Sequence, residues 1–196
     1  MRTLLALTVA ALPGVALAAP AEAPAQVPAE ALSHAMAAPA TAGDDAPVLH
    51  VTSSAFGANQ NIPPKYTCDG TQTTPPLAWS RVPAGAQSVA ILVEDPDAPG
   101  GMFTHWLVTG IAPTTTSLAA GAALPQGATA ARNGKGRMGY DGPCPPHGRH
   151  RYEFRVFALD TAIPPPRDRE ALLSAIHGHV LAEGRLVGTY ERMAPP

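Results

Sequence analysis

Aromatic and charged side chains are scarce in this 196-residue chain, at 5% and 14% of its residues. Basic residues are not in excess, because 13 lysines and arginines stand against 15 aspartates and glutamates. A nucleic-acid-binding protein needs a basic surface to neutralise phosphates, so this composition argues against nucleic acid as a partner. The sequence also lacks the Gly-x-x-x-x-Gly-Lys-Ser/Thr motif of nucleotide-binding loops and the Gly-x-Ser-x-Gly motif of serine hydrolases.

The first 18 residues have the form of a secretion signal. Arg2 is followed by an apolar run over residues 4–18, which ends in the small-x-small pattern Ala-Leu-Ala at Ala18. Signal peptidase recognises this pattern, so we expect residues 1–18 to be removed and the mature protein to be periplasmic or secreted. The run is short for a bilayer span, which needs about 20 apolar residues, and an uncleaved N-terminal anchor is the alternative. We expect no transmembrane span after signal cleavage.

Residues 19–46 consist almost entirely of Ala, Pro and small polar residues. They carry too little apolar surface to offset the entropy lost on ordering, and we expect a disordered Ala/Pro-rich linker. Residues 47–196 are long enough to form one domain with its own core. Without Arg2, the mature chain has 12 basic residues against 15 acidic ones. Its two cysteines, Cys68 and Cys144, are an even number in an exported protein, which indicates a disulfide.

Short runs rich in β-branched or aromatic residues, bounded by Gly, Pro, Asn or Asp, predict six strands. They cover residues 48–52, 77–80, 88–94, 104–109, 151–159 and 185–191.

One helix is predicted after the three prolines at 164–166, with Asp168 as N-cap and Gly184 at its C-terminal end. Its apolar face would consist of Leu172, Leu173, Ile176 and Val180. Many short strands and one late helix predict an all-β-dominated sandwich or barrel-like domain with a peripheral helix.

Three segments carry polar side chains that do not serve a core. Asp95 and Asp97 follow the most apolar predicted strand, and neighbouring prolines hold their carboxylates in few directions. A plain Asp-Pro turn is the structural alternative. His105 begins the next strand, where it can also be an ordinary packed residue. Residues 139–152 are rich in Gly and Pro, which lets the backbone approach a ligand closely, and they end in His-Arg-Tyr from His150.

Metal binding and serine hydrolysis fit these loops less well. Cys144, His147 and His150 have the donor types of a zinc site, in the spacing Cys-x-x-His-x-x-His. Zinc needs a fourth ligand, however, and the prolines between the donors restrict their convergence, so we expect no metal. An exported cysteine is also more often oxidised. No serine stands beside these histidines in the sequence, which argues against a serine nucleophile.

Taken together, the loops and strands resemble the phosphatidylethanolamine-binding protein family, also called the Raf kinase inhibitor family, and in particular its bacterial branch. The stretches that carry the resemblance follow one another in the family's order: IPPKYTCDG at 62–70, PPLAWS at 75–80, VPAG at 82–85, DPDAP at 95–99, His105-Trp106, GYDGPCPP at 139–146 and HRYEFRVFALD at 150–160. There are two departures near the expected ligand. Residues 132–137 lack the Asp-Phe that bacterial relatives often show after the Asn, and the loop at 100–103 is short.

The resemblance implies an antiparallel β-sandwich with one or two peripheral helices and a small anion-accepting cavity at one end. It implies a phosphate-like or phospholipid head-group ligand and no metal or organic cofactor. The ligand-binding residues that it implies are Asp95, Asp97, His105, Gly142, Pro143, His150 and Tyr152.

We therefore predict a module that binds a small anion or phosphorylated head group without turning it over. The alternative is an inhibitor or regulator of a hydrolase or other enzyme through protein–protein contact, since some relatives inhibit kinases or proteases. Acid–base catalysis by Asp and His is a third hypothesis. The residue types suit it, but the sequence shows no evident nucleophile or metal site.

Overall fold

The computed structural model describes residues 47–192. The predicted signal peptide at 1–18 and the predicted linker at 19–46 lie outside these residues, as do the last four residues of the chain. In the described range, no helix is long and apolar enough to cross a membrane.

Within residues 47–192, eight strands form two antiparallel sheets, and all six predicted strands are among them. The small sheet has the order β1-β2-β5 and the large sheet the order β6-β4-β3-β7-β8. The strands are β1 His50–Thr52, β2 Leu77–Ser80, β3 Ser88–Asp95, β4 Phe103–Ile111, β5 Ser117–Leu118, β6 Thr129–Ala130, β7 Arg149–Leu159 and β8 Val180–Glu191. A 3-10 turn covers Pro64–Tyr66, and helix α1 covers Arg169–Ile176. The predicted antiparallel β-sandwich with a peripheral helix is confirmed.

Strand β3 lies at the centre of the large sheet and separates two hydrophobic cores. Alternate residues of a strand face opposite sides of its sheet. Val89, Ile91 and Val93 therefore join the core that the large sheet shares with residues of β1 and β2. Ala90 and Leu92 face the other side, in a second core that includes residues of α1. This division decides where the two acidic residues that end β3 point.

Helix α1 begins as predicted but ends earlier. The Asp168 side chain accepts a hydrogen bond from the backbone N–H of Ala171 at 2.9 Å, so it is the N-cap. The prediction that the helix extends to Gly184 is wrong, because Gly178 adopts a φ of +79° and reverses the chain. Val180, assigned to the apolar face of the helix, instead begins β8, which pairs with β7 along its whole length.

Gly184 has a packing role within β8. A Cβ atom at this position would lie 2.3 Å from the backbone oxygen of Leu49, so only glycine lets the segment before β1 pack against the strand. The glycine that the sequence suggested as a helix stop therefore marks a close contact between two backbone segments.

Candidate functional site

A cavity of about 160 Å³ lies at the end of the large sheet where β3 finishes and where β4 and β7 begin. Its walls combine two carboxylates, two histidines and one lysine with apolar side chains. The lining residues are Asp95, Ala98, Pro99, Phe103, His105, Lys135, Asp141, Cys144, Pro146 and His150. Of the predicted ligand-binding residues, the structure brings Asp95, His105 and His150 together here.

Asp95 and His150 form a buried pair on the cavity wall. His150 Nδ1 lies 2.7 Å from Asp95 Oδ2, and both side chains are about 95% buried. The other carboxylate oxygen of Asp95 accepts the backbone N–H of Asp97 at 2.8 Å. Asp95 therefore makes the local turn expected of an Asp-Pro segment and also orients a histidine. With Nδ1 held by the carboxylate, Nε2 is the ring nitrogen left for other partners.

His105 reaches the cavity because β4 contains a bulge. Val93 pairs with Trp106 and Glu94 pairs with Thr104, so His105 is the extra residue between two consecutive pairs. Such a bulge redirects a side chain, and these irregularities often occur next to functional sites. The imidazole packs edge-on against the rings of Phe103, at 4.7 Å between centroids, and Tyr152, at 5.2 Å.

A backbone carbonyl fixes the tautomer of His105. Its Nδ1 lies 2.7 Å from the carbonyl oxygen of Asp141, which can only accept, so Nδ1 carries the hydrogen. Burial is the largest influence on the ring and lowers the pKa of His105 below its ordinary value, although the Asp141 carbonyl and the Asp95 carboxylate oppose this shift. At neutral pH the imidazole is therefore uncharged.

Asp141 is a buried carboxylate whose charge is balanced locally. Its oxygens lie 2.8 Å from Lys135 Nζ and 2.6 Å from a guanidinium nitrogen of Arg137. Lys135 is about half exposed, and its ammonium group stands at the edge of the cavity. The loop between β6 and β7 thus brings both a negative and a positive charge to the wall, and neither was among the predicted site residues.

The spacing Gly-x-Gly-x-x-Gly occurs in this loop at residues 134–139. In dinucleotide-binding proteins that spacing lies between a strand and the N-terminus of a helix. Here β7 follows, with no helix between, so the glycines do not form that kind of nucleotide site.

The remaining predicted residues do not line the cavity. Asp97 turns outward and accepts two hydrogen bonds from the Arg151 guanidinium group, at 2.9 and 2.6 Å. These bonds lower the pKa of Asp97 to about 2, although burial acts in the opposite direction. The N–H of Gly142 is directed at Gln72 Oε1, 3.4 Å away, and the carbonyl of Pro143 accepts from the backbone of Cys68. Asp97 instead lines a wide groove beside the cavity, which His150 also borders.

Tyr152 lies beneath the cavity, against His105. Its ring is fully buried, and its hydroxyl has no hydrogen-bond partner among the described residues. Burial raises the pKa of Tyr152, so the phenol stays protonated. The residue supports the histidine ring through packing, and the structure places it behind the wall.

A disulfide joins Cys68 to Cys144, as the sequence predicted. Cys144 lines the cavity, and the same two loops are held together by a hydrogen bond from Cys68 N to Pro143 O at 3.0 Å. The pairing means that Cys144 cannot be a zinc ligand in this state. Within residues 47–192, no group of three or more His, Cys, Asp or Glu side chains is placed to hold a metal ion.

The sequence contained only a weak indication that Asp141 and Lys135 line the cavity. Asp141 lies within the matching stretch GYDGPCPP, and Lys135 lies in the stretch 132–137 that departs from the family pattern. A lysine and an aspartate six residues apart in a loop do not reveal that their side chains meet. Their contact depends on the turn at Asn133, whose Oδ1 accepts the N–H groups of Lys135 and Arg137.

Comparison with known proteins agrees with this architecture. The model of the family described as phosphatidylethanolamine-binding protein matches residues 52–191. A UPF0098 protein of Methanothermobacter thermautotrophicus is 43% identical over 150 residues, which cover 74% of this chain and 99% of the relative. A UPF0098 protein of Chlamydia muridarum is 42% identical over 151 residues, covering 74% and 99%.

Two solved structures have the same fold. A protein of Chlamydia trachomatis, described as a homologue of phosphatidylethanolamine-binding protein, superposes with a TM-score of 0.71 at 40% identity, covering 74% of this chain and 99% of that one. YbcL of E. coli, described as a member of the mammalian family, superposes with a TM-score of 0.70 at 34% identity, covering 75% and 100%. The chain belongs to the phosphatidylethanolamine-binding protein family, a membership that supports ligand binding in general.

Proposed function

We propose that the cavity between His105 and His150 binds a small anion or a phosphorylated head group, and that the protein does not turn this ligand over. The observation that carries the proposal is the pairing of both Nδ1 atoms, His105 with a carbonyl and His150 with a carboxylate. This pairing leaves both Nε2 atoms for a ligand, with the Lys135 ammonium group on the same wall. The family's description supports a ligand with a phosphate group.

The two carboxylates on the wall do not oppose such a ligand as strongly as bare charges would. Asp141 is neutralised by Lys135 and Arg137. Asp95 has the His150 imidazole at 2.7 Å, and when His150 carries a second proton the pair is neutral and Nε2 becomes a donor. An oxyanion would then accept hydrogen bonds from His150 and Lys135, both of which are charge-assisted.

The size of the cavity supports a head group and not a whole lipid. Pockets for drug-sized ligands span about 300–1,000 Å³. The present cavity, at about 160 Å³, holds a phosphomonoester of a few heavy atoms. Ala98, Pro99 and Pro146 are also on its wall and offer contacts to an apolar substituent.

Binding without turnover is supported by the side chains around the cavity. Among its described lining residues there is no hydroxyl, and the thiol of Cys144 is held in the disulfide. We expect no metal or organic cofactor. The disulfide fits an oxidising compartment, and we therefore keep the periplasm or the exterior as the expected location.

Calorimetric titration of methyl phosphate tests the proposal. We expect binding to the wild type that strengthens as pH falls from about 8 to about 6, because the ordinary pKa of a histidine side chain lies in this range. Replacing His105 or His150 with Ala should weaken binding by about 1–3 kcal/mol, the range of a hydrogen bond to a charged group.

His179→Ala is a matched control. His179 Nδ1 lies 2.8 Å from Asp160 Oδ1, which is the same kind of pair as His150–Asp95, but it lies at the opposite end of β7 and is about half exposed. This variant should bind methyl phosphate like the wild type. Absence of binding in the wild type, or equal binding in all four proteins, would contradict the proposal and favour a protein partner.

A further inference from the structure

The tautomer of His105 limits what it can offer a ligand. Nδ1 donates its hydrogen to the Asp141 carbonyl, so in the neutral ring Nε2 carries a lone pair and no hydrogen. Nε2 makes no hydrogen bond to any described residue. It is nevertheless accessible to solvent, because it is absent from the set of fully buried polar atoms that have no partner. Since His105 lines the cavity, this nitrogen is open to it as an acceptor.

Charged acceptors reinforce this character. The carboxylates of Asp95 and Asp141 are on the same wall, and both are almost completely buried. A fully ionised oxyanion has only acceptor atoms. Placed against His105, it would leave two facing lone pairs without a hydrogen between them, and a buried polar group without a partner is costly.

We infer that His105 selects ligands that carry a proton, so that the cavity binds the monoanion of a phosphomonoester through a P–O–H···Nε2 hydrogen bond and discriminates against oxyanions without a hydrogen. This inference rests on the proposed function and names the ionisation state of the bound species. The remaining phosphate oxygens would accept from Lys135 and His150. The lowered pKa of His105 is consistent with this role, because the ring stays an acceptor in mildly acidic solution.

Methyl phosphate and methyl sulfate form a matched pair of probes. They have nearly the same shape, and below about pH 6, the second ionisation of a phosphomonoester, each carries one negative charge. Only methyl phosphate then has a hydroxyl hydrogen. Other groups that face the ligand also titrate or carry charge, namely Asp95, Asp141, Lys135, His150 and, behind the wall, Tyr152. Their charges act on both monoanions alike, so they largely cancel in the ratio of the two affinities.

We expect calorimetry at pH 5.5 to show methyl phosphate binding at least about tenfold more tightly than methyl sulfate, in line with one hydrogen bond to a charged partner. The ratio should fall toward one as pH rises to 8, where methyl phosphate loses its hydrogen. In His105→Phe, which keeps an aromatic ring against Phe103 and Tyr152, the ratio should be near one at both pH values.

The outcomes separate this inference from the proposed function. If both probes bind the wild type equally at pH 5.5, or if methyl phosphate binds more tightly than methyl sulfate only at pH 8, the anion site stands and selection by His105 is refuted. If neither probe binds the wild type, both proposals are refuted. Preservation of the ratio in a folded His105→Phe variant, judged by an unchanged far-UV spectrum, would refute the assignment to His105.

Discussion

Glu94 and Asp95 are neighbours at the end of β3, and both carboxylates are buried, yet they have opposite surroundings. Glu94 points to the side of the sheet where α1 packs and contacts two guanidinium groups, that of Arg169 and, at 3.3 Å, that of Arg155. Asp95 points to the other side and has one histidine and one backbone N–H as partners. Strand alternation thus sends one charge into an ion cluster and the other to the cavity.

The difference between the partners gives the two carboxylates different properties. An arginine keeps its charge at all accessible pH values, so Glu94 belongs to a fixed arrangement. A histidine ring has two nitrogens, so with Nδ1 against Asp95 the Nε2 of His150 is left for a further partner.

The disulfide joins two loops on the cavity side of the sheet, so its removal should affect the cavity as well as stability. Replacing Cys68 and Cys144 with Ala should lower the free energy of unfolding by about 2–4 kcal/mol, because the bridge closes a long loop in the unfolded chain. Urea denaturation measures this loss. Methyl phosphate affinity should also fall, since Cys144 lines the cavity. Unchanged stability and affinity would show that the other contacts of these loops suffice.

Removing the charge of Glu94 should damage stability and spare binding. Glu94→Gln leaves Arg155 and Arg169 facing each other without a carboxylate between them, and we expect a loss of about 2–3 kcal/mol. Arg155 keeps Glu183 at 2.7 Å, which limits the effect. Denaturation and methyl phosphate titration of the same variant provide the two measurements. A loss of affinity with intact stability would reverse our assignment of the two faces.

The corresponding change at Asp95 should weaken binding and have little effect on stability. Asp95→Asn keeps a hydrogen-bonding side chain beside His150, which can remain neutral, so we expect a cost of about 1 kcal/mol in stability. Methyl phosphate binding below pH 7 should weaken by about 1–2 kcal/mol, because the carboxylate that holds and polarises the His150 ring is gone. A stability loss as large as that of Glu94→Gln would show that Asp95 is equally structural.

The smallest effect concerns the pH dependence of stability. The pKa of His105 is lower in the folded protein than in the unfolded chain. As pH falls, His105 therefore binds a proton in the unfolded chain before it does so in the folded protein. Stability should therefore be unaffected by this group above about pH 6.5 and decline as pH falls below it. Thermal unfolding of the wild type and His105→Phe between pH 7.5 and 5 checks the sign. A steeper decline in the variant would contradict it.

The sequence revealed the strands of this fold more fully than the arrangement of its site. Local alternation and turn residues located all six predicted strands, and the Asp168 cap located the start of α1. The end of the helix was missed because pairing of β8 with β7 outweighs the helical spacing of residues 176–180. Residues 117–118 and 129–130 form strands too short to produce a pattern.

At the candidate site, the sequence indicated which residue types are present but not the directions in which their side chains point. Asp95 and Asp97 look equivalent in the sequence, but a carboxylate–backbone turn and Arg151 send them to different surfaces. The position of His105 depends on a bulge that is visible only in the pairing of β3 with β4. Lys135 and Asp141 meet through a loop conformation set by Asn133. The Asp97–Arg151 contact and the β3–β4 pairing join separate segments, and the turns at Asp95 and Asn133 depend on side-chain directions, so neither kind of feature is visible in the sequence.

Crystallography with arsenate, a phosphate analogue that scatters anomalously, shows directly whether the cavity binds an oxyanion. We expect an anomalous peak inside the cavity between His105 and His150, with oxygens about 2.7–3.2 Å from an Nε2 atom. The same experiment on Asp95→Asn should give a weaker peak, and Glu94→Gln should retain it. A peak confined to the outer groove at Arg149 and Arg151, or a cavity that holds only water at high arsenate concentration, would contradict the claim.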